Sequence, residues 1–136
     1  MRTRTCASCG APGPARFRNR TLLVSHRGHS TDVKGLAGWR CSSCGEVEFD
    51  PKSAQHYAAA GDKLVLRVRA LERSEIRRIR LKLGLSQVTA ARLTGGGHNA
   101  FSRYERGETV AMPAVVNLFR LLDKHPALLK ELHPSE

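Results

Sequence analysis

The sequence has no long apolar run. Its longest wholly apolar stretches, of which residues 22–24 are typical, are only a few residues long, whereas a helix that crosses a bilayer needs about 20. The basic residues at the start lead into a cysteine pair rather than an apolar stretch, so they do not read as a secretory signal. We therefore predict that the chain does not span a membrane and stays in the cytoplasm.

Acidic residues are also few. The 136 residues include 12 Asp and Glu against 23 Lys and Arg, which leaves a formal net charge of +11. With 40% hydrophobic residues, this composition is typical of a folded protein with one domain or two small ones. The positive excess indicates a polyanionic partner, with nucleic acid as the first candidate. Because the excess is spread over both halves, charge alone does not say which half contacts the anion.

The second half has no cysteine. All four cysteines lie in the first half, in two CxxC pairs: Cys6, Cys9, Cys41 and Cys44. Two such turns can present four thiolates tetrahedrally to one Zn²⁺ at about 2.3 Å. Gly10 and Gly45 each follow a pair, where a positive φ lets backbone amides turn toward the sulfurs. We therefore predict one structural zinc ion.

Two other uses of the cysteines are a redox dithiol pair and a disulfide framework, and disulfides are rare in a reducing compartment. A catalytic zinc is disfavoured because four thiolates leave no open position for water. His26 and His29, which would have to replace a thiolate, are expected to be exposed in a basic loop. The chain shows no nucleophile with a base partner, and no P-loop Lys-Ser/Thr follows its glycine run. We therefore predict no catalytic residue and no enzyme.

The first half reads as a zinc ribbon. Strand-forming residues occupy 17–25, 37–40 and 46–49, and they supply a thin predicted core: Phe17, Leu22, Val24, Leu36, Trp39, Val47 and Phe49. Such a core should need its metal to fold. Asp50-Pro51 predicts a helix start, and Gly61 predicts its end. The predicted domains are a zinc-binding β domain with one helix at 1–62, a basic connector at 63–73, and an all-α domain at 74–136, an α+β fold class.

The second half predicts short helices. Gly84 ends the first helix of this domain, Ser86 caps a second over 87–93, and a turn at 95–97 leads into a third over 98–106 that Gly107 stops. Two short helices joined by a glycine turn indicate a helix-turn-helix. A last helix follows, with an apolar face: Val115, Leu118, Phe119 and Leu122, then Leu128, Leu129 and Leu132. This face either completes the core or seals a twofold dimer.

The third helix has a polar stripe opposite Phe101 and Tyr104. The stripe consists of Asn99, Ser102, Arg103 and Arg106, at i, i+3, i+4 and i+7. Because Asn matches the edge of adenine and Arg that of guanine, we predict base contacts from Asn99 and Arg103. The predicted DNA-backbone contacts are Ser86, Gln87, Ser102 and Arg106. The alternative is a merely solvated helix face. Glu105 is predicted to pair with Arg80 rather than to face phosphates.

Three segments carry a resemblance to a known family. Residues 95–107 (GGGHNAFSRYERG), residues 121–129 (LLDKHPALL) and the two CxxC pairs resemble the MqsA antitoxins, or YgiT-type zinc finger plus Xre helix-turn-helix proteins. The resemblance implies that the C-terminal domain dimerises and represses its own operon. It also implies that the zinc domain neutralises an mRNA-cleaving, MqsR-like toxin. The family's base-reading Asn and Arg fall on Asn99 and Arg103. This chain departs in the segment between the cysteine pairs, which is unusually basic: Arg16, Arg18, Arg20, Arg27 and Lys34.

The predicted function is therefore that of a type II antitoxin. It would bind a palindromic operator as a homodimer in the bacterial cytoplasm, associated with the nucleoid, and neutralise a ribonuclease toxin through its zinc domain. The alternative is a stand-alone Xre-type regulator whose zinc domain serves another purpose.

Overall fold

The computed structural model describes residues 3–134, which fold into a mixed α/β structure of two compact units divided between Val65 and Leu66. The strands are β1 (Ala15–His26), β2 (His29–Arg40) and β3 (Val47–Phe49). The helices are α1 (Pro51–Lys82), α2 (Gln87–Thr94), α3 (Ala100–Arg106) and α4 (Pro113–Lys124), followed by a 3₁₀ turn at Pro126–Glu131. No helix among the described residues is long and apolar enough to cross a membrane.

The three strands form one antiparallel sheet in the order β1-β2-β3. The expected loop around His26 and His29 is wrong, because these residues pair across a tight hairpin and are half-buried. Arg27 and Gly28 form the turn with φ values of 48° and 80°. Two positive φ values give the twist that a two-residue hairpin turn needs. The strands are therefore longer than residue composition predicted.

The β1–β2 ladder is irregular on both sides of Arg20, where the register shifts. Asn19, with φ 49°, and Gly35, with φ 72°, lie at these irregularities, and both residue types tolerate the left-handed region. Val33 and Leu36 of β2 are fully buried. Of the seven apolar residues predicted for this core, only Leu36 is fully buried, and the other six are half-buried. The core is as thin as the sequence indicated.

The predicted end of the first helix at Gly61 is wrong. α1 continues through Gly61 to Lys82, so residues 63–73, expected to be a connector, are helical. A glycine inside a helix costs only about 1 kcal/mol relative to alanine. Leu64 and Val68, four residues apart on the same face, are 2% and 0% exposed. Burial of this face outweighs the cost of the glycine.

In the second unit, the predicted turns and caps match the structure. Gly84 follows α1 with φ 69°, and the Ser86 hydroxyl accepts a hydrogen bond from the Thr89 amide at 3.0 Å to cap α2. The buried core of this unit joins all four helices: Ile76, Ile79, Ala90, Ala91, Phe101, Val115, Val116 and Phe119. The Phe101 and Phe119 rings lie with their centroids 5.1 Å apart.

Candidate functional site

The two cysteine pairs form two turns of the same design. In the first turn, the Cys6 amide donates to Ala11 O and the Gly10 amide donates to Cys6 O, at 2.8 and 2.9 Å. In the second, the Cys41 amide donates to Glu46 O and the Gly45 amide donates to Cys41 O, both at 2.9 Å. The glycines have φ values of 74° and 77°, which an L side chain would strain. Each turn therefore holds its two cysteines in the same way.

The four sulfurs come together at one point. All four Sγ atoms lie within 4.8 Å of one another, and the Cys6–Cys44 and Cys9–Cys41 Sγ pairs are each 3.7 Å apart. These are free thiols rather than disulfides. A tetrahedron of sulfurs around a metal ion at about 2.3 Å has edges of about 3.8 Å. The donor set and its spacing therefore fit one tetrahedral, thiolate-binding metal ion.

The backbone favours a thiolate at one of these cysteines. Hydrogen bonds from the amides of Cys44 and Ser43 lower the pKa of Cys41 to about 6. At Cys44, the Glu46 amide favours the thiolate, but burial and the neighbouring thiols outweigh it and raise the pKa to about 12. Four thiolates so close together repel one another. A dication among them would remove that repulsion.

Two arginines lie against Trp39, which lines a pocket together with Cys6 and Cys41. The Arg4 and Arg16 guanidinium carbons lie 4.5 and 5.4 Å from the centre of the Trp39 ring. Arg4 pairs with Glu48, and Arg16 forms two 2.6 Å hydrogen bonds with the Asp50 carboxylate. The Arg16 hydrogen bonds also hold the pKa of Asp50 below its usual range. The Asp50 carboxylate, at the predicted helix start, thus ties the beginning of α1 to β1.

The second candidate site is formed by α2, α3 and the turn between them. Gly95 closes α2 with φ 75°, and the Gly96 amide donates to Ala91 O at 3.0 Å. A Cβ on Gly96 would lie 3.0 Å from the Ala100 Cβ, so a glycine there lets the start of α3 approach the turn closely. α3 begins at Ala100 rather than at the predicted His98, and Asn99 is its N-cap residue.

A buried ion pair joins α3 to α1, and a hydrogen bond to the same carboxylate joins α3 to α2. Arg80 of α1 donates to one oxygen of the Glu105 carboxylate at 2.7 and 3.0 Å, and Gln87 of α2 donates to the other at 2.8 Å. The Arg80 and Glu105 side chains are 10% and 5% exposed. The predicted Arg80–Glu105 contact is confirmed, and Glu105 joins three helices.

The polar residues predicted to contact DNA lie around this helix pair. Asn99, Arg103 and Arg106 are exposed, and Ser102 is half-exposed. The Asn99 side chain forms no capping hydrogen bond. Ser86 and Gln87 lie at the start of α2, with the Ser86 hydroxyl engaged in the cap and the Gln87 amide on Glu105.

Sequence reasoning missed the role of Glu108. Its carboxylate lies 3.6 Å from Arg103 Nε and 3.2 Å from an Arg106 Nη atom, so both arginines are paired in this state. Gly107, between Arg106 and Glu108, turns the chain with φ 78°. The signal in the sequence was Gly107, which ends α3. Because a glycine at this position turns the chain back, the next residue, Glu108, comes close to the last turn of the helix.

Comparison with known proteins gives two matches. A family model described as the antitoxin component of bacterial toxin-antitoxin system, MqsA, matches residues 4–133. The chain is also similar to Antitoxin MqsA of Escherichia coli (strain K12), with 38% identity over 113 residues, which are 82% of this chain and 86% of that protein.

Proposed function

Because the chain belongs to the MqsA family of antitoxins, we propose that it represses its own toxin–antitoxin operon by binding operator DNA as a homodimer. We also propose that its first unit neutralises a ribonuclease toxin of the MqsR kind. The observation that carries the DNA-binding part is a short exposed helix, α3, held rigidly by a buried ion pair and carrying Asn99 and Arg103 on its outer side.

The proposed reading of DNA uses α2 and α3 as a helix-turn-helix. The start of α3 would enter the major groove, where the Asn99 amide matches adenine N6 and N7 and the Arg103 guanidinium matches guanine O6 and N7. Ser86, Gln87, Ser102 and Arg106 would contact the DNA backbone, which positions the protein without selecting sequence. Since the chain carries a net charge of +11, its association with DNA should depend strongly on salt.

In this mechanism, DNA must replace Glu108 as the partner of Arg103 and Arg106. The ion pairs of Glu108 with both arginines are exposed, with side chains 47% to 61% accessible, and such pairs are weak. DNA would therefore displace Glu108 from both arginines at little cost. The carboxylate would hold the arginines extended before binding and repel phosphates that approach in the wrong register.

The metal proposed for the four cysteines is Zn²⁺, held by Cys6, Cys9, Cys41 and Cys44. Bound zinc supplies a structural crosslink rather than chemistry, because four thiolates fill its coordination shell. In this chain the crosslink would join the turn before β1 to the turn between β2 and β3.

Toxin binding is assigned to the first unit because β1 is an edge strand twelve residues long. An edge strand offers unpaired backbone groups on which a partner can add a strand. The dimer is assigned to the second unit, where Leu121 and Leu128 are 56% and 49% exposed near its C-terminal end. Exposed leucines of this kind mark an association surface when they are contiguous.

The experiment that tests the proposal compares Arg103→Ala and Asn99→Ala with Arg77→Ala, at fixed salt, on operator and scrambled duplexes. Arg77 is an exposed arginine of α1 with no ion pair among residues 3–134. Each base-contact variant should lose about 1 to 3 kcal/mol of discrimination between the two duplexes. Arg77→Ala should leave the ratio of the two affinities unchanged.

The contrary result is equal weakening of both duplexes by Arg103→Ala. In that case Arg103 would be a phosphate contact and the base-reading assignment would be wrong. If no adjacent gene encodes a protein that the chain binds, the alternative of a stand-alone Xre-type regulator replaces the toxin part of the proposal.

A further inference from the structure

We propose that the second unit carries a binding site for a small apolar carboxylate, and that the bound ligand weakens operator binding. The site is a cavity of about 470 Å³ formed by α1, the end of α3 and the segment after α3, here called the α1–α3 cavity. Cavities of this volume are typical of small-molecule sites. Only the ligand's effect on the operator rests on the proposed DNA binding, and the site itself does not.

Two arginines that line the cavity have no acidic partner. Arg69 and Arg73 lie one turn apart on α1, and both are exposed. In the part of the chain that the structure describes, neither forms an ion pair. A Cβ on Gly107 would collide with Arg73 Nη1, so the Arg73 guanidinium lies over the turn that ends α3. Because a guanidinium is a planar fork of donors that matches a carboxylate, these two side chains can hold one carboxylate.

The two acidic residues of the lining, Glu72 and Glu108, already have positive neighbours. Glu108 pairs with the two arginines of α3. Glu72 is 4% exposed and lies close to Arg120, whose pKa is raised by its hydrogen bonds to Glu75 and further by the charge of Glu72. The uncompensated charge of the cavity is therefore positive, which selects an anion. Because two carboxylates also line it, a dianion such as a phosphate ester would be repelled more than a monoanion.

Most of the remaining lining is apolar. Leu66 of α1 and Val110 of the segment after α3 line the cavity, and their side chains are 64% and 44% exposed. Ile76 and Ala111 also line it and are buried. A hydrocarbon body in the cavity would remove the exposed leucine and valine from water, which is favourable. An inorganic anion would leave them exposed, so the lining favours a ligand that combines a hydrocarbon body with one carboxylate.

The cavity adjoins the helix that we propose to read DNA. Gly107 and Glu108 line it, and Glu108 is the partner of Arg103 and Arg106. A carboxylate bound to Arg73 would add a second negative charge beside Glu108, at the end of α3. Because the operator phosphates are also negative, bound ligand and bound DNA would repel one another. The ligand should therefore weaken operator binding, and the operator should weaken ligand binding by the same factor.

The first measurement titrates the zinc-loaded full chain with octanoate, below the concentration at which octanoate forms micelles. Octanol and octylammonium are the neutral and cationic probes, and the amide NMR signals of residues 107–111 report binding. The variant combines Arg69→Ala and Arg73→Ala. The matched control combines Arg67→Ala and Arg77→Ala, which removes the same charge from exposed positions of α1 outside the cavity.

Octanoate should bind at least about tenfold more tightly than octanol or octylammonium, because only octanoate gains charge-assisted hydrogen bonds from both arginines. The Arg69/Arg73 variant should lose that preference, and the control should keep it. Leu66→Asp is a second variant at an exposed position and should also abolish octanoate binding. It decides the question if the double alanine variant loses the folded signals of α4.

Three results of this titration would overturn the site. If octanol binds as tightly as octanoate, the arginines do not hold a carboxylate. If both double variants weaken octanoate equally, only net charge matters. If the signals of residues 107–111 change with protein concentration and not with octanoate, a second copy of the chain fills the cavity.

The second measurement compares operator affinity with and without saturating octanoate, at fixed salt. Octanoate should weaken operator binding about fivefold or more, the usual size of coupling between two sites, in the parent and in the control but not in the Arg69/Arg73 variant. Octanoate that binds without changing operator affinity would contradict the proposed effect on DNA. If the chain binds no operator even without octanoate, the proposed DNA binding is wrong, and the titration still decides whether the cavity binds a carboxylate.

Discussion

The two units of this chain are held together in different ways. In the first, the buried apolar residues are few, and two of them belong to the four-cysteine cluster: Cys6, Val33, Leu36, Cys41 and Leu64. In the second, buried residues from α1, α2, α3 and α4 make one core that includes two aromatic rings. A small unit with so thin a core needs a crosslink, whereas a shared apolar core stabilises helices without one.

The ion pairs of the two units also differ, in how far they are buried. The Arg4–Glu48 and Arg16–Asp50 pairs of the first unit are partly or largely exposed, with side chains 29% to 55% accessible. The Arg80–Glu105 pair of the second unit is buried. Exposed pairs add little to stability, whereas breaking a buried pair is costly. The comparison therefore predicts that the stability of the first unit depends on a bound metal and that the stability of the second depends on buried side chains.

The largest effect should come from loss of the metal. Structural zinc contributes about 10 to 16 kcal/mol of apparent binding free energy in small zinc domains, which matches or exceeds the total stability of an ordinary domain. Cys41→Ser should therefore unfold the first unit. The fluorescence of Trp39 should change to that of an unfolded chain, and the folded NMR signals of the β1 and β2 amides should disappear. The amide signals of α2, α3 and α4 and operator binding should remain.

The control is Ser8→Ala, which alters the first cysteine turn without removing a ligand and should keep one zinc per chain. If Cys41→Ser removes the signals of both units together, the two units do not fold independently, and the comparison above fails.

A smaller loss is expected from Glu105→Ala in the second unit. It would leave Arg80, whose side chain is 10% exposed, as a buried and uncompensated charge, which typically costs about 3 to 5 kcal/mol. Zinc content should not change. Urea denaturation followed by the amide signals of α4 measures the effect.

Glu108→Ala is the matched control for that variant. It removes a carboxylate three residues further on that is 47% exposed, so its cost should stay below about 1 kcal/mol. The double replacement of Arg80 by Met and Glu105 by Leu should recover most of the stability that Glu105→Ala loses, because no charge is left buried. Equal destabilisation by Glu105→Ala and Glu108→Ala would contradict a special role for the buried pair.

Local signals in the sequence predicted the turns and the helix cap of the second unit. Gly84, Ser86, Gly95 and Gly107 act through the backbone of their own turn, so their effects can be inferred without tertiary contacts. The helix end predicted at Gly61 was wrong because the effect of this glycine is not local. Whether a glycine ends a helix depends on burial of the residues beyond it, here Leu64, and that burial is a tertiary property.

The candidate sites were predictable to different degrees. The spacing of the CxxC pairs indicated that four sulfurs would meet, and the structure brings them together. A cleft in the first unit, lined by Arg16, Arg18, Arg20 and Arg40, was visible in the sequence only as a basic segment. Its shape depends on the irregular ladder around Arg20 and on Arg40 from the neighbouring strand, which no local pattern specifies. The roles of Asn99 and Arg103 in DNA binding stay predictions.

The smallest effect concerns Asp123, which ties the end of α4 to α1 in the second unit. Its carboxylate accepts hydrogen bonds from Arg78 at 2.9 and 3.2 Å and from Lys82 at 2.8 Å. These two side chains hold the pKa of Asp123 well below its usual value of 3.8. The carboxylate binds fewer protons in the folded state than in the unfolded state, so its contribution is complete above about pH 5. That contribution is lost as the pH falls through the usual value toward the folded-state pKa.

Asp123→Asn should therefore be slightly less stable than the parent at pH 7, and this difference should shrink as the pH falls below about 4, so that its stability falls less steeply than the parent's in acid. The measurement is the urea midpoint of the α4 amide signals over a pH series, which reports the second unit even where acid removes the metal from the first. Glu131→Gln is the control, because Glu131 forms no ion pair within residues 3–134, and it should reproduce the parent curve. If Asp123→Asn keeps the parent's pH dependence, the Arg78 and Lys82 contacts add nothing to the second unit, whose stability then rests on its apolar core and the buried Arg80–Glu105 pair.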